Sequence, residues 1–390
     1  MSPTETSQTS IMKTYNRLPI TVVKGDGSFL YEANGMKFLD FTSGIATCNL
    51  GHQPISVKKA VTDQLDLLWH CSNLYHIPKQ QELADLLTEK SCFDEVFFCN
   101  SGTEANEAAI KLVRKWSDKE TIVTFTKSFH GRTLGSLSAT AQTNLQEGFG
   151  SMLEGFQYLP YNEFESLAKI EEQKPAAVMF ELVQGEGGVR PADQQWVSKL
   201  VEICQSNNIL LVVDEVQTGM GRTGTLFAHE QYGFEPDIMT LAKGLGSGFP
   251  IGAMLAKESV GSAFGPGAHG STFGGNPLAS AAAVETVKQV SSLLPEVSNT
   301  SNYLISELKN LSEQCTSILE VRGLGLLIGI EVKEAVPYMT ELREKGVLVL
   351  TAGASVLRIL PPLNVTQEEV NNFLNVLTEV FQAAEEGEQQ

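Results

Sequence analysis

Residues 209–224 read ILLVVDEVQTGMGRTG, an apolar run followed at once by Asp214 and Glu215 and then by Gly219, Gly221 and Gly224. A short β-branched run bounded by turn residues is the signature of a buried strand. Similar runs occur at 96–100 (VFFCN), 121–125 (TIVTF), 176–183 (AAVMFELV) and 237–242 (DIMTLA). Between some of them, PKQQELADLLTEK (78–90) and EANEAAIKLVRKW (104–116) carry apolar residues at helical spacing. Alternating helices and buried strands predict an α/β fold with a mostly parallel sheet covered on both faces.

The pattern also suggests how the chain is divided. ITVVKGDGSFLYEANGMKFLDF (20–41) reads as a small β-meander broken at Gly-Asp-Gly and Asn-Gly. The expectation is an N-terminal segment over 1–51, a large α/β domain over 52–290, and a C-terminal unit over 291–390 that joins the N-terminal segment in a smaller domain.

The 390 residues include 28 basic and 46 acidic side chains, for a net charge of −18. That balance disfavours nucleic acid or an anionic membrane as a partner, because neutralising phosphates takes clustered Lys and Arg. An anionic ligand must then be met by local arginines or backbone amides. Cys48, Cys71, Cys92, Cys99, Cys204 and Cys315 form no C-x-x-C pair, which fits a reducing compartment rather than a zinc ribbon or redox motif. His52, His70, His76, His229 and His269 make no metal spacing and are read as structural. The opening MSPTETSQTSIMKTYNR has neither an apolar signal core nor an arginine before Arg17, so a cytoplasmic protein is expected.

In a parallel α/β sheet, ligands bind beyond the carboxyl ends of the strands. Ser101 to Glu104, Phe129 to Arg132, Gln184 to Gly188, Asp214 to Gln217 and Lys243 occupy those positions. Ser101 and Glu104 have capping-box spacing, and Gly102 and Thr103 also place amides at a helix N-terminus, which suits a phosphate. The Walker-B-like Asp214 and the Gly219-x-Gly221-x-x-Gly224 match both fail on context. No Walker A sequence occurs, and no strand-to-helix turn surrounds the glycines. Lys243, in TLAKGLGSGFPIGAML (240–255), belongs to a phosphate-cradling loop, is a solvated lysine at a strand-to-turn junction or a partner of Asp214 in a salt bridge, or is a nucleophilic amine. Pyridoxal phosphate needs a Schiff-base lysine, an acid for its pyridine nitrogen and a phosphate site, and Lys243, Asp214 and Gly102-Thr103 offer that set. Phe129 is either core or a stacking face for the pyridine. Arg132 is a candidate carboxylate clamp, and Arg358 in VLRILPPL is either an edge residue or a second one.

With NSGTEANEAAIK, FHGRT, ELVQGEGG, LLVVDEVQTGMGRTG, LAKGLGSGFPIGAM and HGSTFGGNPLA in that order, the chain resembles the class III aminotransferases of fold type I from about Leu18 to Leu363. The resemblance implies pyridoxal 5'-phosphate as cofactor, with Gly102 and Thr103 on its phosphate, Phe129 and Val216 on the ring faces, and Gln217 at the ring hydroxyl. Asp214 would face the pyridine nitrogen, Glu215 would belong to the same cofactor-binding stretch, and Lys243 would be the covalent attachment point. It further implies a homodimer in which Thr272 reaches the phosphate of the neighbouring subunit. Arg132 and Ser271 would bind substrate, Arg358 would bind the α-carboxylate of glutamate and 2-oxoglutarate, and Glu186 would neutralise Arg358. ATCNLGH and SNLYHIPKQQELA look most like the branch that acts on N2-acetylornithine, which implies amino transfer to 2-oxoglutarate in arginine biosynthesis. Ornithine, succinylornithine, 4-aminobutyrate and lysine-pathway donors share the same anchors.

Overall fold

Glycine ends the first strands. In the computed structural model, which describes residues 10–388, β1 (Val22–Asp26), β2 (Phe29–Glu32) and β3 (Lys37–Asp40) form an antiparallel meander. Gly27 and Gly35 at its turns have φ of 55° and 91°, a region that glycine enters without penalty. The opening from Met1 and the final Gln389-Gln390 lie outside the described residues.

The chain next lays down β4 (Glu95–Cys99), β5 (Ile122–Phe125), β6 (Phe156–Leu159), β7 (Ala177–Phe180), a small hairpin of β8 (Val183–Gln184) and β9 (Arg190–Pro191), β10 (Leu210–Asp214), β11 (Ile238–Leu241) and β12 (Gly252–Ala256). Seven of these strands make one sheet in the order β4-β12-β11-β10-β7-β5-β6. β10 lies between β7 and β11, parallel to both, and all five of its residues are buried. That burial on both faces explains why its sequence is continuously apolar rather than alternating.

Three details depart from the sequence reading. The run 176–183 ends as a strand at Phe180, and Glu181 turns away before the β8–β9 hairpin begins. The glycine-rich stretch after Lys243 contains the strand β12, antiparallel to both β11 and β4. A Cβ on Gly252 would lie 2.8 Å from the Cys99 sulfur, so glycine there permits β12 to approach β4. Finally, the helix Pro277–Gln314 runs unbroken through residue 290 with Pro295 inside it. Leu304, Leu308 and Leu311 on its second half share a core cluster with Ile328, Leu357 and Ile359.

Beyond that helix, β13 (Glu320–Leu324), β14 (Leu327–Glu331), β16 (Leu350–Ala352) and β17 (Val356–Ile359) form an antiparallel sheet in the order β13-β14-β17-β16, while β15 (Val347–Leu348) pairs in parallel with β3. The two ends of the chain therefore share one sheet. Among the described residues, no helix is long and apolar enough to cross a membrane.

Candidate active site

The carboxyl ends of β4, β5, β7, β10 and β11 open onto a cavity of about 430 Å³ lined by Gly102, Thr103, Phe129, Arg132, Glu186, Asp214, Val216, Gln217 and Lys243. Nine of the sequence-selected residues thus meet at one place, as the strand-end rule requires.

At the first edge, Ser101 caps the helix Gly102–Trp116 by accepting from the Glu104 amide at 3.3 Å. Glu104 returns its carboxylate to the Asn100 amide at 2.8 Å, one residue earlier than an ideal capping box. The amides that follow the cap have no helical partner and face the cavity end of the helix dipole. A Cβ at Gly102 would lie 2.7 Å from Val216 Cγ1, so no side chain can stand between that backbone and the floor of the cavity.

Asp214 is almost fully buried at the end of β10. Its Oδ1 accepts from the Val216 amide at 3.0 Å, and its Oδ2 accepts from Asn106 Nδ2 at 2.8 Å and lies 2.8 Å from His130 Nδ1. Asn106 is held in turn by Thr240 Oγ1, which donates to its Oδ1 at 2.7 Å, and by the His130 carbonyl, to which it donates at 2.6 Å. A carboxylate offers roughly four acceptor positions. Three are taken within the protein, and one on Oδ1 remains for a ligand donor. Burial would lower the basicity of His130, but the hydrogen bond and charge of Asp214, with the charge of Glu181, outweigh it and raise its pKa.

Lys243 lies across the cavity, immediately after β11, with φ of 37°. Burial pulls its amine down from 10.5 to about 8, with Arg358 acting in the same direction and Glu186, Asp214 and Glu181 opposing. An amine in that range is nucleophilic near neutral pH. Glu181, also at the cavity, is pushed up by burial and accepts from the Phe129 amide at 3.0 Å.

The two arginines differ. Arg358, in the middle of its sheet on β17, is buried and donates through Nη1 to Glu186 Oε1 at 2.5 Å and to Gln217 Oε1 at 3.3 Å. Arg132 is exposed at the cavity mouth, its guanidinium 5.5 Å from the centre of the Phe129 ring.

Three selected residues lie elsewhere. Glu215 points to the opposite side of β10, where its carboxylate accepts from the amides of Ala228 and His229 at 2.6 and 2.9 Å. Successive strand residues face opposite ways, so Asp214 and Glu215 cannot both reach the cavity. Ser271 and Thr272 do not line it in this chain. The Ser271 hydroxyl accepts from Asn100 and the Gly274 amide, and Thr272 is exposed. Conversely, Asn106 and Glu181 line the cavity without being singled out by the motifs, and His130, within the Phe129-to-Arg132 stretch, lines it without an assigned role. His130 directly follows Phe129, and Glu181 is a lone charge inside an apolar run, which is the signal that marks it.

The family profile Aminotransferase class-III matches residues 10–381. An acetylornithine aminotransferase of Oceanobacillus iheyensis is 54% identical over 97% of this chain and 98% of its own length. Among solved structures, the ornithine aminotransferase of Toxoplasma gondii superposes with a TM-score of 0.93 at 31% identity, covering 97% of this chain and 94% of that one. The N-acetylornithine aminotransferase of Stenotrophomonas maltophilia superposes with a TM-score of 0.82 at 37% identity, covering 96% and 98%. The cofactor of the family, pyridoxal 5'-phosphate, fits the residues present: a buried amine for its aldehyde, a carboxylate with one open acceptor position for its ring nitrogen, and uncommitted helix amides for its phosphate. This chain belongs to the class III aminotransferases, pyridoxal-phosphate enzymes of fold type I.

Proposed function

We propose that the chain transfers the terminal amino group of N2-acetyl-L-ornithine to 2-oxoglutarate, giving N-acetyl-L-glutamate 5-semialdehyde and L-glutamate, and that it serves arginine biosynthesis in the cytoplasm. The observation that carries the donor is its likeness, over nearly full length, to relatives named acetylornithine aminotransferase.

Bound pyridoxal phosphate supplies an aldehyde carbon and an electron-withdrawing ring. Lys243 would hold that aldehyde at rest, and its amine, once free, would move the proton at the amine-bearing carbon of the donor. Asp214, fixed by Asn106 and His130, would offer its open Oδ1 position to the ring nitrogen. Among the residues lining the cavity, Phe129 and Val216 would bracket the ring, Gln217 would meet its hydroxyl, and the Gly102 and Thr103 amides would meet its phosphate. Thr272 and Ser271, away from this chain's own cavity, act in a homodimer, Thr272 on the phosphate held by a second copy and Ser271 on substrate.

Arg358 receives the α-carboxylate of 2-oxoglutarate and glutamate. Its pairing with Glu186 keeps that buried charge neutralised when the donor presents no carboxylate there. Arg132, at the mouth, takes the carboxylate of the acylated donor.

Ornithine is the second donor to weigh, because the chain also superposes closely on ornithine aminotransferases. Steady-state kinetics with 2-oxoglutarate and a panel of acetylornithine, ornithine, succinylornithine and 4-aminobutyrate separates the readings. Acetylornithine should exceed ornithine and 4-aminobutyrate in kcat/KM by about tenfold or more, the scale of pocket-based discrimination. Preference for another donor would overturn the assignment and leave the cofactor chemistry standing.

A further inference from the structure

On the side of β10 away from the cavity, Cys92, His229 and Glu215 form a chain of contacts. His229 Nδ1 lies 2.9 Å from Glu215 Oε1, and both side chains are nearly inaccessible to solvent. Glu215 has no hydrogen to give, so Nδ1 is the donor, and Nε2 is the nitrogen left to face Cys92 Sγ at 4.0 Å. One proton is therefore shared between Nε2 and the sulfur. The ring cannot swing away from this pairing, since Phe227 stacks on it at 5.9 Å and Phe93 meets it edge-on at 6.2 Å. Burial opposes charging His229, yet its hydrogen bonds to Cys92 and Glu215 raise its pKa to about 9. A sulfur nucleophile, an imidazole and a carboxylate orienting that imidazole are the elements of an activated thiol.

The other cysteines lack this combination or its access. Cys99, Cys204 and Cys315 are buried, whereas Cys92 is partly open. Cys71 is also partly open, but its sulfur meets the Ser72 carbonyl, at 3.8 Å, rather than an imidazole. Cys48 neighbours His52 and is the one rival, although His52 spends its Nε2 on Asp40.

We propose that Cys92 is a redox-modification site, whose sulfur, backed by His229 and Glu215, takes a small peroxide and becomes a sulfenic acid. The sulfur electron pair attacks one peroxide oxygen, so that an S–O bond forms as the O–O bond breaks. The departing hydroxide takes the shared proton from His229 Nε2 and leaves as water. Sulfur loses two electrons and the peroxide gains them, while Glu215 keeps its hydrogen bond from Nδ1–H throughout.

The test treats the holoenzyme with micromolar hydrogen peroxide in the presence of a dimedone trap and follows each cysteine by peptide mass spectrometry. Cys92 should acquire the adduct about tenfold faster than Cys71 and Cys48, and His229→Asn should lower its rate about tenfold while leaving Cys71 unchanged. Earlier labelling of Cys71 or Cys48, or an undiminished Cys92 rate in the variant, would overturn the proposal. Should the variant not fold, the ranking of cysteines in the unaltered enzyme still decides.

Discussion

Asp214 and Glu215 are adjacent acids at the end of one strand, each within 2.9 Å of a histidine, yet they serve opposite sides of the sheet. Asp214 keeps an acceptor position open toward the cavity, while its other contacts fix where that position points. Glu215 uses its carboxylate to hold the Ala228 and His229 amides, and so secures the turn that follows β10. The pair shows that a buried carboxylate paired with histidine is not in itself a catalytic signature. What separates the two is whether every acceptor position is already spent inside the protein.

Amide substitutions should break that symmetry in opposite directions. Asp214→Asn removes the negative charge facing the cavity and should lower turnover by about 10²- to 10³-fold, the usual scale for losing one preorganised electrostatic partner. Its cost in stability should be small, about 1 kcal/mol. Moving the imidazole proton to Nε2, which has no hydrogen-bond partner among the described residues, lets His130 accept from the new N–H₂, so the Asn106 amide is the donor that loses its acceptor. Glu215→Gln should do the reverse. Its amide end must face backbone donors it cannot accept from, costing about 1 to 3 kcal/mol of stability, while turnover stays within a factor of about three. Urea midpoints and steady-state rates on both variants check this. Equal activity losses would mean that the strand face does not divide their roles.

Most of the site was legible because each residue stands where an apolar run ends, and the strand-end rule turns a one-dimensional pattern into one cavity. Where that reading was blurred, the cause is local geometry. Glu215 was grouped with Asp214 by adjacency, although the period-two alternation of a strand sends them apart. Asn106 sits one helical turn past the Ser101 cap, and nothing in sequence shows that its amide reaches three elements. β12 is hidden because it opens on Gly252, where Cys99 and Ser101 leave no room for a side chain, and only the short run 253–256 follows the glycine-rich turn. The helix through residue 290 hides its continuity behind Pro295, which removes one amide while packing on both sides keeps the helix intact.

A third pair sharpens the comparison at the smallest scale. His52 lies 2.8 Å from Asp40, near the meander and far in sequence from the cavity strands, and is mostly buried with a little exposure. The Asp40 hydrogen bond, helped by Cys48, raises its pKa from 6.5 to about 10, with burial opposing. A histidine whose folded pKa is raised gives its full stabilisation below the unfolded value and loses it as pH climbs through the folded one. The His52 contribution should therefore be complete below about pH 6.5 and gone above about pH 10. Asp40 keeps the Thr42 amide and hydroxyl, at 2.9 and 2.6 Å, when the imidazolium is lost. For that reason the effect should be only about 1 kcal/mol. Urea unfolding of the unaltered protein and His52→Asn at pH 6 and pH 10 isolates it, since other titrating groups cancel in the difference between the two proteins. The gap should narrow as pH rises. A gap that stays constant or widens would mean that His52 is held by packing, and that only the histidines on either side of β10 owe their protonation to a carboxylate.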